Sequence, residues 1–231
     1  MTNILVLIPT RSEVSEVTMK SIRDQTVGNL SILVITKKMS LNIPVGIRVA
    51  RTINSFADDD FSSWWIMLKN NDYILRTDDD AYLPPNFLEE NLKLNADVVG
   101  SSGYGQLIKT KPFMFCLNGR FPEVIAEDSY IFYYFKYLGL KACGYKVRPE
   151  KLKRKKHNLQ YWLNVGGERY RIGYLPHMVI LSFRDSISGF NVGFNAFYIF
   201  LGYILSSIKR LKKYPFNKMV SKLQLFRLVK Q

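Results

Sequence analysis

The chain has 231 residues, enough for one ordinary domain or one domain with an appendage. Its 47% apolar and 14% aromatic content supports a sizeable core and excludes disorder for most of the length. The formal charge of +14 is unevenly spread: residues 1–150 hold 17 basic and 17 acidic side chains, residues 151–231 hold 16 and 2. An anionic partner is therefore expected in the last third, and a membrane surface, a nucleic acid or a diphosphate would each qualify. Cys116 and Cys143 are too few for a disulfide scaffold and lack metal-ligand spacing, so two buried free thiols are expected. Residues 1–3 bring no basic region ahead of the short apolar run 4–9, so no signal peptide is read there and a cytoplasmic protein is expected.

Ile4–Ile8 is a continuous apolar run closed by Pro9, the pattern of a strand buried on both faces. A helix is predicted over 13–25, a second buried strand at Ser31–Thr36 and a short third at Ile47–Ala50. Ser55–Lys69 reads as a helix carrying Trp64 and Trp65, and Tyr73–Leu75 as a strand. Pro84-Pro85 opens a helix through Leu94, and Ala96–Gly100 returns as a strand. Strand–helix alternation of this kind predicts an open, mostly parallel α/β sheet with helices on both faces. Ligands of such sheets bind beyond the carboxyl ends of strands.

The densest chemistry at a strand end is Asp78-Asp79-Asp80. Three consecutive carboxylates repel one another unless a cation sits among them. In an extended segment Asp78 and Asp80 share one side and can approach one divalent ion. Hard oxygen ligands select Mg²⁺ or Mn²⁺, ions that commonly bridge to a diphosphate; a solvated acidic turn is the plain alternative. Asp58-Asp59-Asp60 opens a predicted helix, and capping accounts for it. Glu127-Asp128 precedes a strongly aromatic stretch, either as N-terminal capping or as a carboxylate for general-base work. Arg169 and Arg171 are suited to grip a phosphate bidentately, or lie in a solvated turn.

Taken in order, these blocks resemble a family. Ile8-Pro9-Thr10-Arg11-Ser12-Glu13 is similar to a P-x-x-N-E nucleotide-binding turn, Gln25-Thr26 to an S…Q helix ending, and Asp78-Asp79-Asp80 with Leu83-Pro84-Pro85 to a D-x-D motif. Gly119-Arg120-Phe121, Glu127-Asp128 and Leu138-Gly139 resemble a GGF…ED…GY acceptor-side block. The family is the GT-A glycosyltransferases, family 2, and the resemblance covers residues 3–148. It implies a GT-A (Rossmann-like) sheet and inverting transfer of one sugar from a nucleotide-diphosphate donor to a hydroxyl. Pro9, Thr10, Arg11 and Glu13 would hold the nucleotide, with Asp78 and Asp79. Asp80, with Asp78 and a histidine such as His157, would ligate the metal, and Asp128, beside Glu127, would be the base. Two departures stand out. Lys37-Lys38 follow the second strand where the family places base-binding aspartates, and Ser12 replaces its asparagine. The processive signature Q-x-x-R-W is absent, since Gln160-Tyr161-Trp162 lacks its spacing, so a single-sugar transferase is expected.

Downstream, residues 186–208 carry no charge and 209–231 are basic and amphipathic. The uncharged run is long enough to span a bilayer. A single span, however, would put Lys209, Arg210, Lys212 and Lys213 opposite a cytoplasmic catalytic domain, against the positive-inside tendency. An in-plane or re-entrant helix on an anionic membrane surface is expected, with a buried core helix as the alternative. Nucleic acid is not expected, because the tail's aromatics sit within apolar runs. The organisation predicted is a catalytic core over 1–150, a basic completing segment over 151–185 and a membrane-associating appendage over 186–231. The acceptor expected is a lipid-linked saccharide or polysaccharide precursor. A nucleotidyltransferase, or a catalytically inactive membrane-binding scaffold, are the competing functions.

Overall fold

The computed structural model describes residues 2–10, 13–36, 48–51, 66–152, 158–184 and 192–229. The chain divides into two compact units, Met1–Glu123 with Leu138–Arg154, and Val124–Tyr137 with Lys155–Gln231.

The first unit is an α/β sheet. Its strands are β1 (Asn3–Thr10), β2 (Asn29–Thr36), β3 (Arg48–Arg51), β4 (Tyr73–Arg76), β5 (Ala81–Tyr82), β6 (Val98–Val99), β7 (Gln106–Lys109), β8 (Ala142–Cys143) and β9 (Glu150–Lys151). Seven of them form one sheet in the order β3-β2-β1-β4-β7-β6-β8. β1 pairs parallel with β2 and β4, and β2 with β3, while β7 runs antiparallel to β4 and β6. β6 and β8 pair parallel, so among the described residues only β7 opposes the other strands and the sheet is mostly parallel, as the alternation predicted. Ile4, Leu5, Val6, Leu7 and Ile8 are all fully buried. Successive strand side chains face opposite ways, so both faces of β1 are covered.

Helix α1 (Glu16–Arg23) buries Thr18, Met19, Ser21 and Ile22 and leaves Glu16, Lys20 and Arg23 on its polar side. Met19 and Ile22 join Ile4, Val6, Ile8, Val34 and Leu75 in the main core. Helix α2 (Phe87–Leu92) starts later than Pro84-Pro85 suggested. The prolines form the turn before it, where the Phe87 amide donates to the Pro84 carbonyl at 2.8 Å. Gln25 ties this turn to α1: its amide nitrogen donates to the Pro84 carbonyl at 2.9 Å and its oxygen accepts from the Leu88 amide at 2.9 Å. Helix α3 (Thr110–Leu117) follows β7 and ends at Asn118, in the left-handed region. β5 and β9, which the sequence did not announce, form a separate antiparallel ribbon. Most of the predicted 55–69 helix, including Asp58–Asp60, Trp64 and Trp65, lies outside the described residues; 66–69 are helical. Cys116 and Cys143 are free and half-buried, and burial pushes the Cys116 thiol up.

The second unit is helical: α4 (Glu127–Tyr137), α5 (Leu159–Ile172), α6 (Pro176–Arg184), α7 (Val192–Ile208) and α8 (Asn217–Val229). α7 packs along α5 and also touches α6. The α5–α7 approach is close because glycines line it: a Cβ at Gly166 would overlap the Ile199 carbonyl, and one at Gly202 the Leu163 carbonyl. Ile172, Phe216 and Val220 make one small core with Tyr130, Tyr133, Tyr134, Tyr174 and Tyr214 packed around it. The uncharged 186–208 run proves helical from Val192 onward, with its start outside the described residues. Among the described residues no helix is long and apolar enough to cross a membrane.

Candidate functional site

Strand order reverses between β1 and β4, since β1 leads through α1 to β2 on one side and lies beside β4 on the other. At such a reversal the chain leaves neighbouring strands in opposite directions, and a crevice opens beyond their carboxyl ends. Thr10 and the acidic triplet lie here.

The triplet is not the extended segment that the sequence suggested. Asp79 and Asp80 form a turn, with the Ala81 amide donating to the Asp78 carbonyl at 3.4 Å. Local interactions bend it: the carbonyl of Asp79 accepts from the Ser15 amide at 2.9 Å and from the Thr18 hydroxyl at 3.2 Å. Its carboxylate accepts the Thr10 hydroxyl at 2.6 Å. Asp79, 3% exposed, thus fastens β1 and the start of α1 to the acidic turn. On the other flank, the Leu152 amide donates to the Asp80 carbonyl at 2.8 Å, extending the β5–β9 ribbon. The turn is held on both sides.

The three carboxylates therefore have different surroundings. Asp78 is ion-paired with Arg76, Oδ1 to Nη1 at 3.2 Å, and keeps part of its surface open. Asp80 is 7% exposed, and its buried Oδ2 has no hydrogen-bond partner. A buried carboxylate oxygen left without a donor costs free energy unless a cation or donor meets it. That is the donor chemistry a hard divalent cation requires, so Asp80 fits such an ion. Among the described residues no three His, Cys, Asp or Glu side chains converge on one point.

Three residues that sequence reasoning missed complete the surroundings. Arg76 ends a buried strand and is itself 8% exposed. A Cβ on Gly103 would collide with its guanidinium, so the glycine makes its notch. Thr77 anchors the adjoining loop, donating its hydroxyl to the Tyr104 carbonyl at 2.8 Å and its amide to Leu7 at 2.9 Å. Lys151 lies 5.1 Å from the centre of the Tyr104 ring. A charged residue inside an otherwise buried strand, beside an acidic triplet, was the available signal for Arg76.

Pro9 is half-buried within β1 and Glu13 is exposed before α1. Arg11, Ser12, Lys37, Lys38 and His157 lie outside the described residues. Glu127 and Asp128 belong to the second unit and stand half-buried in the first turn of α4. There Asp128 Oδ1 accepts the Ser129 amide at 2.7 Å. Arg169 and Arg171 sit in the last turn of α5, not in a surface turn. Arg171 meets Glu168 at 3.3 Å, lies 4.4 Å from the centre of the Tyr214 ring and donates to the Lys212 carbonyl at 3.3 Å. Glu168, 6% exposed, also accepts the Tyr214 hydroxyl; burial first, then this bond, pushes the phenol up. Arg169 packs 5.9 Å from the centre of the Tyr174 ring, and burial draws its guanidinium down. Thr10, Asp78, Asp79 and Asp80 are thus brought together in the first unit, whereas Arg171 is engaged in the second unit's own framework.

Compared with known protein-family models and with curated proteins, the sequence matches none. Among solved structures, the mannosyltransferase PcManGT from Pyrobaculum calidifontis, in complex with GDP-Man and Mn²⁺, is similar over 98% of this chain and 80% of its own. The TM-score is 0.54 and the identity 14%. S. aureus TarS 1–349 is similar over 90% of this chain and 72% of that one, with a TM-score of 0.49 and 11% identity. The mixed α/β architecture of this chain, with its mostly parallel sheet and flanking helices, is accordingly a fold shared with that mannosyltransferase.

Proposed function

We propose that the protein is an inverting GT-A glycosyltransferase that moves one sugar from a nucleotide-diphosphate donor to a hydroxyl acceptor. The observation that carries this reading is the buried, unpartnered Oδ2 of Asp80 at the strand-order reversal. Thr10, Pro9, Arg11 and Glu13 would face the nucleoside, with Asp78 and the turn-forming Asp79 completing the donor side. Asp80 and Asp78 would hold a Mg²⁺ or Mn²⁺ ion, with His157 as a further candidate. When bound there, such an ion would supply positive charge to offset that of a diphosphate leaving group.

In this reading Asp128 takes the proton of the acceptor hydroxyl as its oxygen attacks the anomeric carbon. The bond from that carbon to the diphosphate oxygen breaks, and configuration inverts because attack and departure are on opposite sides. Glu127 is the alternative base on the same helical turn. Arg169 and Arg171 serve the donor only if a phosphate competes with their present partners. The acceptor we favour is a lipid-linked saccharide or polysaccharide precursor, which locates the reaction at the cytoplasmic face of a membrane.

Calorimetric titration with GDP, UDP and dTDP, each with and without Mn²⁺, tests the donor side; GDP comes first because the mannosyltransferase neighbour carries GDP-Man. Binding of one nucleotide that needs the metal and is lost in Asp80→Ala is the expected result. No binding of any nucleotide overturns it. Asp128→Asn then separates enzyme from scaffold: the enzyme loses turnover while donor and metal still bind.

A further inference from the structure

Helix α7 has two unlike faces. Ala196, Ile199, Gly202, Tyr203 and Ser206 are buried, the spacing of one helical stripe. This stripe is satisfied within the second unit, because Ile199 and Tyr203 pack with Val179, Trp162 and Val165. The opposite stripe is Phe197, Leu201, Leu205 and Ile208, again at helical spacing, and it is equally apolar. Phe197 is 55% exposed, Leu205 40% and Ile208 72%. It runs for about 16 Å at the usual rise per residue, and α7 carries no charge anywhere along its length.

The stripe ends at a cluster of cations on an ordered backbone turn. Lys209, Arg210, Lys212 and Lys213 are all exposed. Their placement follows from how α7 stops. Arg210 has a φ of +50°, its amide donates to Ser207 at 3.1 Å, and the Leu211 amide donates to Ser206 at 3.1 Å. This pair of bonds is the Schellman arrangement, and it turns the chain sharply, so the basic run begins at the helix end. The Nε of Arg171 then fixes the far side of the turn by donating to the Lys212 carbonyl. Leu211, 40% exposed, sits among the cations.

We infer that the outer face of α7 is the surface by which this protein docks on an anionic lipid bilayer. The helix lies in the membrane plane, with Phe197, Leu205 and Ile208 at the boundary of headgroups and acyl chains. Lys209, Arg210, Lys212 and Lys213 meet the lipid phosphates. An exposed apolar stripe continued by exposed cations, Lys213 with its ammonium 4.6 Å from the centre of the Tyr170 ring, is complementary to such an interface, which is apolar below and negative above. The in-plane orientation follows from the other stripe, since a helix packed along α5 through Gly166 and Gly202 cannot be surrounded by lipid. This rests on the membrane location proposed above and deepens it, while the vesicle test reads docking without any sugar transfer.

The test is flotation of the purified full chain with phosphatidylcholine vesicles, alone or mixed with phosphatidylglycerol. The parent should float with the anionic vesicles and remain bound in high salt. Changing Lys209, Arg210, Lys212 and Lys213 to Gln should weaken binding about fivefold per cation. Phe197→Glu with Ile208→Glu should abolish the salt-resistant fraction, whereas Phe115→Glu, at an 89% exposed site in the first unit, should not. Far-UV circular dichroism checks that each variant is folded. In the independent variant Ile208→Trp, brominated lipid should quench fluorescence beyond that of the parent. No flotation, flotation fully reversed by salt, or absence of added quenching overturns the inference. A change of oligomeric state in the double variant, without effect on vesicles, would assign the face to a second copy of this chain and overturn it equally.

Discussion

Asp80→Asn should make the metal-free protein more stable and the metal-loaded protein less so. In the wild type the buried Oδ2 of Asp80 has no hydrogen-bond partner, and Asp78 and Asp79 are its immediate neighbours. An unsatisfied buried acceptor costs about 1–3 kcal/mol, with more when it is charged. The amide has the same shape and still leaves one polar atom unpaired, but it removes the buried charge, so relief of about 1–2 kcal/mol is expected, which is about 2–8 °C in melting temperature for a chain of this size. Mn²⁺ with the bound nucleotide, at about a hundredfold its dissociation constant, would stabilise the wild type by about 2.7 kcal/mol through mass action. The variant should gain little of this, so the order of the two melting curves should cross. Calorimetric scans of chelator-treated wild type and Asp80→Asn, with and without Mn²⁺ and nucleotide, measure both halves. A variant that melts lower than the wild type without metal, or that gains as much as the wild type with it, would refute the placement of a cation at Asp80.

The remaining predictions concern the framework around the site. Gly202→Ala adds a Cβ that overlaps the Leu163 carbonyl. The helix-propensity gain of about 1 kcal/mol is then outweighed by overpacking, for a net loss of about 1–2 kcal/mol by urea denaturation. Gly144→Ala, with open space around it, should stay within about 0.5 kcal/mol of the parent in the same experiment. Tyr214→Phe removes the donor to buried Glu168 and should cost about 1–3 kcal/mol, with an unchanged melting temperature refuting a stabilising role for that bond. Glu90 is held down to about 2, from an ordinary 4.5, first by its bond to Lys146 and then by Lys93. A carboxylate depressed in this way stabilises the fold above its unfolded value and loses that contribution as pH falls from 4.5 toward 2. Glu90→Gln should therefore be the less stable protein at pH 7 and equal to the parent near pH 2, as read by urea midpoints.

Much of the fold was legible because it rests on local pattern. Ile4–Ile8 and Ser31–Thr36 are apolar runs that only a sheet covered on both faces can bury, and they emerge as β1 and β2 within two residues of their predicted bounds. The turns and partner strands were not legible. β7 is four residues long, and only its register with Tyr73–Arg76 makes it the antiparallel strand that interrupts the sheet. Asp78, Asp79 and Asp80 read as three equivalent acids, because composition and spacing carry no information about burial. Tertiary contacts made them unlike: Thr10, Ser15 and Thr18 bent the turn at Asp79, Arg76 paired Asp78, and Asp80 was buried with one oxygen unmet. The same division holds for the C-terminal third. Its basic charge and uncharged run are read directly from the residues, whereas the packing of α5 against α7 decided which apolar stripe is core and which faces outward. Local preference acts through a few neighbours along the chain, but burial depends on segments many tens of residues apart, as Thr10 and Asp79, separated by 69 positions, show.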